Sequence, residues 1–221
     1  MVPFFIYLSL ITIPTMPFPT SYADTELAAV NQILSAVGQA PVTELDQANP
    51  EISIAFDTLI QCSRECQAEG WTFNTEHKYP LSPDSNGEIV LANNMLQVDL
   101  SDTYENRGTD VVRRNGKLYN TSTHSFTWTQ GQPLECDIVW LFDWKDLPIP
   151  FRDYIVARAS TLVCIKVVGD KDQYTMLQQR ETMHRAVIME YECNQGDYTM
   201  FGFPKGENNY ISYQPYHTLL R

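Results

Sequence analysis

Asn49 to Asn74 reads NPEISIAFDTLIQCSRECQAEGWTFN, and the architecture of the chain turns on it. Asn49-Pro50 supplies a helix cap and a first-turn proline. Ile52, Ala55, Phe56, Leu59, Cys62, Ser63 and Cys66 then fall on one stripe at helical spacing, and Gly70 ends the run. At Trp71 the helical period stops. Upstream, Asp24 or Thr25 can cap an earlier helix in which Leu27, Val30, Leu34 and Val37 recur, with Gly38 and then Pro41 closing it. Gly38, Pro41, Asn49, Pro50, Gly70 and Trp71 are therefore read as caps, turns and core positions. Cys62 and Cys66, four apart, could hold a metal. With no further ligands nearby in sequence, packing is the stronger reading.

Downstream, turn signals recur between short β-type stretches, with Asn115-Gly116 marking a two-residue hairpin between Asp110 to Arg113 and Lys117 to Tyr119. All four tryptophans, Trp71, Trp128, Trp140 and Trp144, lie in this segment, so residues 71–146 are expected to form a small β-sandwich or barrel. Helical periodicity returns after Pro148-Ile149-Pro150. Phe151, Ile155, Ala159, Leu162 and Lys166 mark a helix ended by Gly169. Tyr174, Leu177, Glu181, His184, Ile188 and Tyr191 share one side of the next. Two helices on each side of the β segment imply an α+β fold, a discontinuous four-helix bundle (residues 24–70 and 147–196) with the β domain inserted.

The two ends read differently. Residues 1–23 hold an uncharged apolar run, Val2 to Ile13, which lacks a signal peptide's basic start and falls short of the roughly 20 apolar residues of a membrane span. It is expected to be an arm packed on a neighbouring subunit through Phe4, Phe5 and Tyr7, or else an upstream addition if Met16 is the natural start. Residues 197–221 have no helical period but carry Phe201, Phe203, Tyr210, Tyr213 and Tyr216. That composition suits a segment lying extended on its own domain or on another subunit.

The chain of 221 residues has 15 Lys and Arg against 27 Asp and Glu, a net charge of −12. No base precedes Arg64, whereas Asp24, Glu26, Glu44, Asp46, Glu51 and Asp57 do. This balance opposes sequence-independent nucleic-acid binding, which needs a basic surface. The five cysteines, an odd number, suit a reducing compartment. Arg107, Arg113, Arg114 and Lys117 form the densest basic group, read first as a solvated hairpin and second as an ion-pairing surface.

Catalytic patterns are sparse. His77, His124, His184 and His217 are isolated in sequence, and no phosphate loop, nucleophile elbow or zinc motif occurs. Glu135 and Asp137 beside Trp140 suggest a sugar cleft, which makes a tail-associated glycan-binding or glycan-cleaving protein the alternative function. The same alternation is what a half-buried edge strand shows. No catalytic, metal or cofactor residue is assigned.

ELAAVNQILSAVGQAPVTELD (Glu26 to Asp46), Asn49 to Glu76, and YPLSPDSNGEIVLANNMLQVD (Tyr79 to Asp99) closely resemble the tail tubular protein A family. These are head-to-tail adaptors of short-tailed bacteriophages of the autographivirus type, and the run Glu69 to Asn74 is the most specific part of the likeness. The resemblance implies a structural, non-enzymatic virion protein of the tail neck, assembled in the host cytoplasm without membrane contact. It further implies a homo-oligomeric ring of twelve copies between the portal and the nozzle, tail tubular protein B, with the tail fibre as a further neighbour. DNA would pass through the ring during ejection without specific binding.

Overall fold

The computed structural model describes residues 25–46, 48–101, 108–129 and 131–196. The element order is α1 (Glu26–Ala36), α2 (Pro50–Gln67), β1 (Thr75–Leu81), β2 (Met95–Leu100), β3 (Val111–Arg114), β4 (Lys117–Asn120), β5 (Leu134–Trp140), a 3-10 turn (Trp144–Asp146), α3 (Ile149–Val167) and α4 (Lys171–Gly196). Four helices and small antiparallel sheets make this an α+β protein.

The helices start and stop for local reasons. The Thr25 hydroxyl accepts the Ala28 amide (3.2 Å) at the start of α1, and Asn49 Oδ1 accepts the Glu51 amide (3.1 Å) at the start of α2, where Pro50 takes the first position. The first helix ends in a Schellman arrangement. Gly38 takes φ +83°, its amide meets Ser35 O (3.2 Å), and the Gln39 amide meets Leu34 O (2.8 Å).

α3 is the hub, in contact with each of the other three helices. Its Phe151 is fully buried, with ring centroids 5.0 Å from Trp71, 4.6 Å from Phe73 and 5.8 Å from Tyr191. Val30, Ile33, Ala55, Leu59, Ile155 and Ile188 complete the centre of this core. Ser160 and Thr161, buried on the same helix, are satisfied by donating to Val156 O (2.8 Å) and Ala157 O (3.1 Å).

A second core lies under the sheets. Strand order in the larger sheet is β1-β5-β2, both pairs antiparallel, while β3 and β4 form a separate hairpin. At the hairpin tip Asn115 and Gly116 both take positive φ (50° and 72°), as a type I′ turn requires. Ile89, Leu91, Met95, Val111, Leu118, Cys136 and Ile138 fill the space between sheet and hairpin. The Leu118 amide bonds to Ile89 O (2.9 Å) and the Leu91 amide to Gly116 O (2.8 Å), fixing the crossing loop to β4.

The tryptophans depart from expectation. Trp128 and Trp140 pack at the β core, but Trp71 and Trp144 belong to the helical core. They flank the places where the chain leaves the helices and returns. A large side chain there closes the core against the sheet instead of filling the sheet's interior.

All five cysteines are unpaired; Cys62, Cys66, Cys136 and Cys164 are buried and Cys193 is exposed. Burial pushes the thiols up, Cys62 to about 11 and both Cys66 and Cys136 to about 12. Among the described residues, no helix is long and apolar enough to cross a membrane.

Phe151→Ala removes the ring on which three aromatic contacts converge. An unfolding loss of about 3–5 kcal/mol is expected for a buried Phe truncation, measured as a shift in urea midpoint; a loss below about 1 kcal/mol would show that α3 is not the hub.

Candidate functional site: the helix to sheet junction

The β segment hangs on two chain crossings, one after α2 and one before α3. The segment Ala68 to Asn74 makes the first and Trp140 to Trp144 the second. Two buried side-chain amides, Gln67 and Asn74, each 1% exposed, tie them together. The Phe142 amide donates to Gln67 Oε1 (2.7 Å), and Gln67 Nε2 donates to Phe142 O (3.2 Å) and to Ser63 Oγ (3.1 Å). Asn74 Oδ1 accepts the Trp71 amide (2.8 Å), while its Nδ2 donates to Gln67 O (2.8 Å) and Trp140 O (2.9 Å). In return the Trp140 amide donates to Asn74 O (2.8 Å). A primary amide suits this place because it offers donors and an acceptor without a charge to desolvate.

The same turn is gripped from α4. Glu192, 7% exposed, accepts from the Thr72 amide (3.0 Å) and from the Thr72 hydroxyl (2.5 Å). About two turns earlier, Arg185 forks onto Glu69 (3.0 and 2.6 Å), its guanidinium 5.1 Å from the Trp71 ring and 5.5 Å from Tyr154. From α3, Arg158 reaches Glu65 (2.8 Å) and Tyr154 Oη (3.3 Å). Hydrogen bonds that Arg158 donates to Tyr154 and Glu65 hold it above the ordinary guanidinium range, and those that Arg185 donates to Glu69 do the same for Arg185. Glu65 in the last turn of α2 and Glu69 just past its end thus meet one arginine from each later helix. Because these pairs are part-exposed, each is worth about 1 kcal/mol or less. Their value is in aligning three helices on one turn.

Gly70 and Trp71 lie inside this junction. Gly70 takes φ +75°, and a Cβ there would stand 3.4 Å from Val139 Cγ2. The Trp71 indole N–H donates to Cys66 O (2.7 Å) across the end of α2. Gly38 and Pro41 sit elsewhere, at the end of α1, and Asn49 and Pro50 at the start of α2, so the six positions are dispersed. Phe4, Phe5, Tyr7, Phe201, Phe203, Tyr210, Tyr213 and Tyr216 lie outside the described residues. Gln67 and Glu192 went unnoticed in the sequence, since a polar residue at a helix end carries no mark of its distant partner. Asn74 did stand within the most family-specific run.

Glu135 and Asp137, the pair that suggests a sugar cleft, both lie on β5. Asp99, Asp110 and Asp137 border a shallow cleft of about 340 Å³, and Glu135 is exposed outside its lining. Asp99 Oδ1 accepts its neighbour Leu100 N (2.8 Å), and Asp110 Oδ1 accepts Val111 N (2.9 Å). A bulge between Glu76 and Tyr79 puts Lys78 at φ 55° and aims its amide at Asp137 Oδ1 (3.0 Å). Asp137 also accepts the Ser101 hydroxyl and faces His77 Nδ1 at 3.1 Å. Burial alone would raise the Asp137 carboxyl, but the bonds from Ser101, Lys78 and His77 outweigh it and hold it below the usual range. That is the reverse of what a glycosidic general acid needs. In the basic group, Arg113 donates to Met95 O (2.8 Å), Arg114 lies 4.2 Å over the Tyr119 ring, and Lys117 meets Glu88 (2.5 Å); Arg107 is outside the described residues.

Asn74→Ala removes three hydrogen bonds from a buried place. An expected loss of about 2–4 kcal/mol follows from buried groups left unmade, read by urea unfolding. Asp137 titrates lower when folded than the ordinary value near 3.8. Its stabilisation is therefore complete above that value and is lost as pH falls through the folded one. Urea midpoints followed from about pH 7 to about pH 3 should show a smaller acid drop for Asp137→Asn than for the unsubstituted chain; equal drops would remove Asp137 from the acid limb.

Comparison with known proteins follows the same boundaries. A family model described as tail tubular protein matches residues 27–198, which takes in both cores and the junction between them. Tail tubular protein A of Klebsiella phage KP34 is 23% identical over 164 residues, covering 74% of this chain and 84% of that protein. With well over half its length matched, the chain belongs to the tail tubular protein family, structural components of the bacteriophage tail.

Proposed function

We propose that this chain is a head-to-tail adaptor, a ring of twelve copies that joins the portal at the capsid vertex to the nozzle below and forms part of the DNA ejection channel. The observation that carries the proposal is the junction. A hydrogen-bonded clamp, anchored by Gln67, Asn74 and Glu192, fixes two dissimilar cores to each other. In this reading the helices around α3 are one discontinuous four-helix bundle, the β segment is an inserted sandwich-like domain, and the two ends meet different partners. A ring closes when each subunit offers two different complementary faces. A subunit that hinged between its cores could not keep those faces at one angle.

Charge supports the channel. Arg158, Arg185 and Lys117 are each paired with a carboxylate of the same chain. The net −12 is therefore left to the remaining surface, and like charge keeps a passing phosphate backbone off a wall. The ring would sit in the neck of the virion, with the tail fibre as a further neighbour, after assembly in the host cytoplasm.

Negative-stain images of the purified chain, alone and with the portal protein, test this. Rings, or portals carrying an added ring, are the expected result; a chain that stays monomeric with portal present would overturn the adaptor reading. Removing the clamp through Asn74→Ala is expected to reduce ring yield severalfold at a temperature where the variant remains folded by circular dichroism.

A further inference from the structure

α1 and α4 border an open groove of about 540 Å³ that the junction does not use. Gln173, near the start of α4, donates to the Ala36 carbonyl at the end of α1 (2.7 Å), so later residues of α4 run past earlier residues of α1. Ala28, Ser35 and Ala36 give the groove a floor of small side chains, and Arg180 lines its α4 side. Met176, Arg180, Met183 and Val187 recur at helical spacing, and the three apolar members are 71%, 70% and 47% exposed. So large an apolar stripe beside a groove marks a surface that is covered in the working assembly.

We infer that the apolar segment Val2–Ile13 of one copy lies in the α1/α4 groove of the adjacent copy. Composition points to this segment. It is uncharged from end to end, and no carboxylate lines the groove among the described residues. Phe4, Phe5 and Tyr7 can place rings on Met176, Met183 and the Arg180 guanidinium. The aromatic residues beyond Gly196 fit less well. They carry Asp197, Lys205 and Glu207 among them, and they leave α4 about 24 Å beyond Arg180 at about 1.5 Å per helical residue.

Length points to the adjacent copy. The chain enters α1 at Thr25, beside Ala28 of the groove. Between Ile13 and Thr25 lie Pro14, Pro17 and Pro19, which favour an extended linker of about 3.1 Å per residue, about 34 Å in all. α1 has 11 residues and, at about 1.5 Å each, is about 16 Å long. A linker twice as long as α1 is long enough to take the apolar segment past its own groove and onto the next copy. This inference rests on the ring reading only in requiring a neighbour.

Cysteine pairing tests it, in a Cys193→Ser background because Cys193 is exposed. Chains carrying Ile6→Cys and chains carrying Met183→Cys are mixed and oxidised. The expected product is a covalent dimer that requires both chains and is lost when Met176→Glu, an exposed substitution, is added. Deleting residues 1–13 should also weaken self-association roughly tenfold or more in sedimentation. Larger species without the cross-link would overturn the arm and leave the ring standing. A chain that is monomeric throughout would overturn both. A link formed only within a doubly substituted chain, or virion-derived protein that starts at Met16, would also overturn the inference.

Discussion

The joining of the two cores depends on two side-chain amides. A β segment inserted into a helical body by two single-chain crossings would ordinarily be free to swing about them. Gln67 and Asn74 remove that freedom by bonding each crossing to the other, backbone to side chain, out of reach of water. In such a place each bond is stronger than it would be at the surface, and each unmade bond more costly. The carboxylate of Glu192 extends the constraint to the last helix, so the helix that ends the described chain senses the position of the turn that opens the β segment.

Much of this was legible beforehand. The α+β composition, the helix order and the hairpin at Asn115-Gly116 followed from period, capping and turn chemistry, which are local properties of a few consecutive residues. The core side of α4 was likewise readable, since Tyr174, Leu177, Ile188 and Tyr191 repeat at one spacing. The clamp was not. Gln67 and Phe142 are 75 residues apart and Thr72 and Glu192 are 120 apart, and no local pattern encodes a partner at that distance. Trp71 and Trp144 misled for a related reason. Their positions in sequence are contiguous with the strands, whereas their burial is decided by which core stands on either side of a crossing.

The sheet offers an instructive contrast with the site it resembled. Carboxylates gathered near a tryptophan can build a sugar cleft or can hold a strand edge together, and sequence spacing does not separate the two. Protonation does. A general acid must keep its proton near neutral pH, and Asp137 is surrounded by donors that favour its loss. Its work is to anchor the bulge of β1 to the loop after β2.

The buried thiols bear on the particle's life outside a cell. A thiol held at about 12 is ionised in roughly one molecule in ten thousand at pH 8, and the thiolate is the form that oxidants attack. Cys66 and Cys136, each 2% exposed or less, therefore need no disulfide and no reductant to remain as folded. These two thiols keep the same covalent state in a reducing interior and in aerated water for as long as the fold stays closed over them, so the exposed Cys193 is where oxidation of the described cysteines would begin.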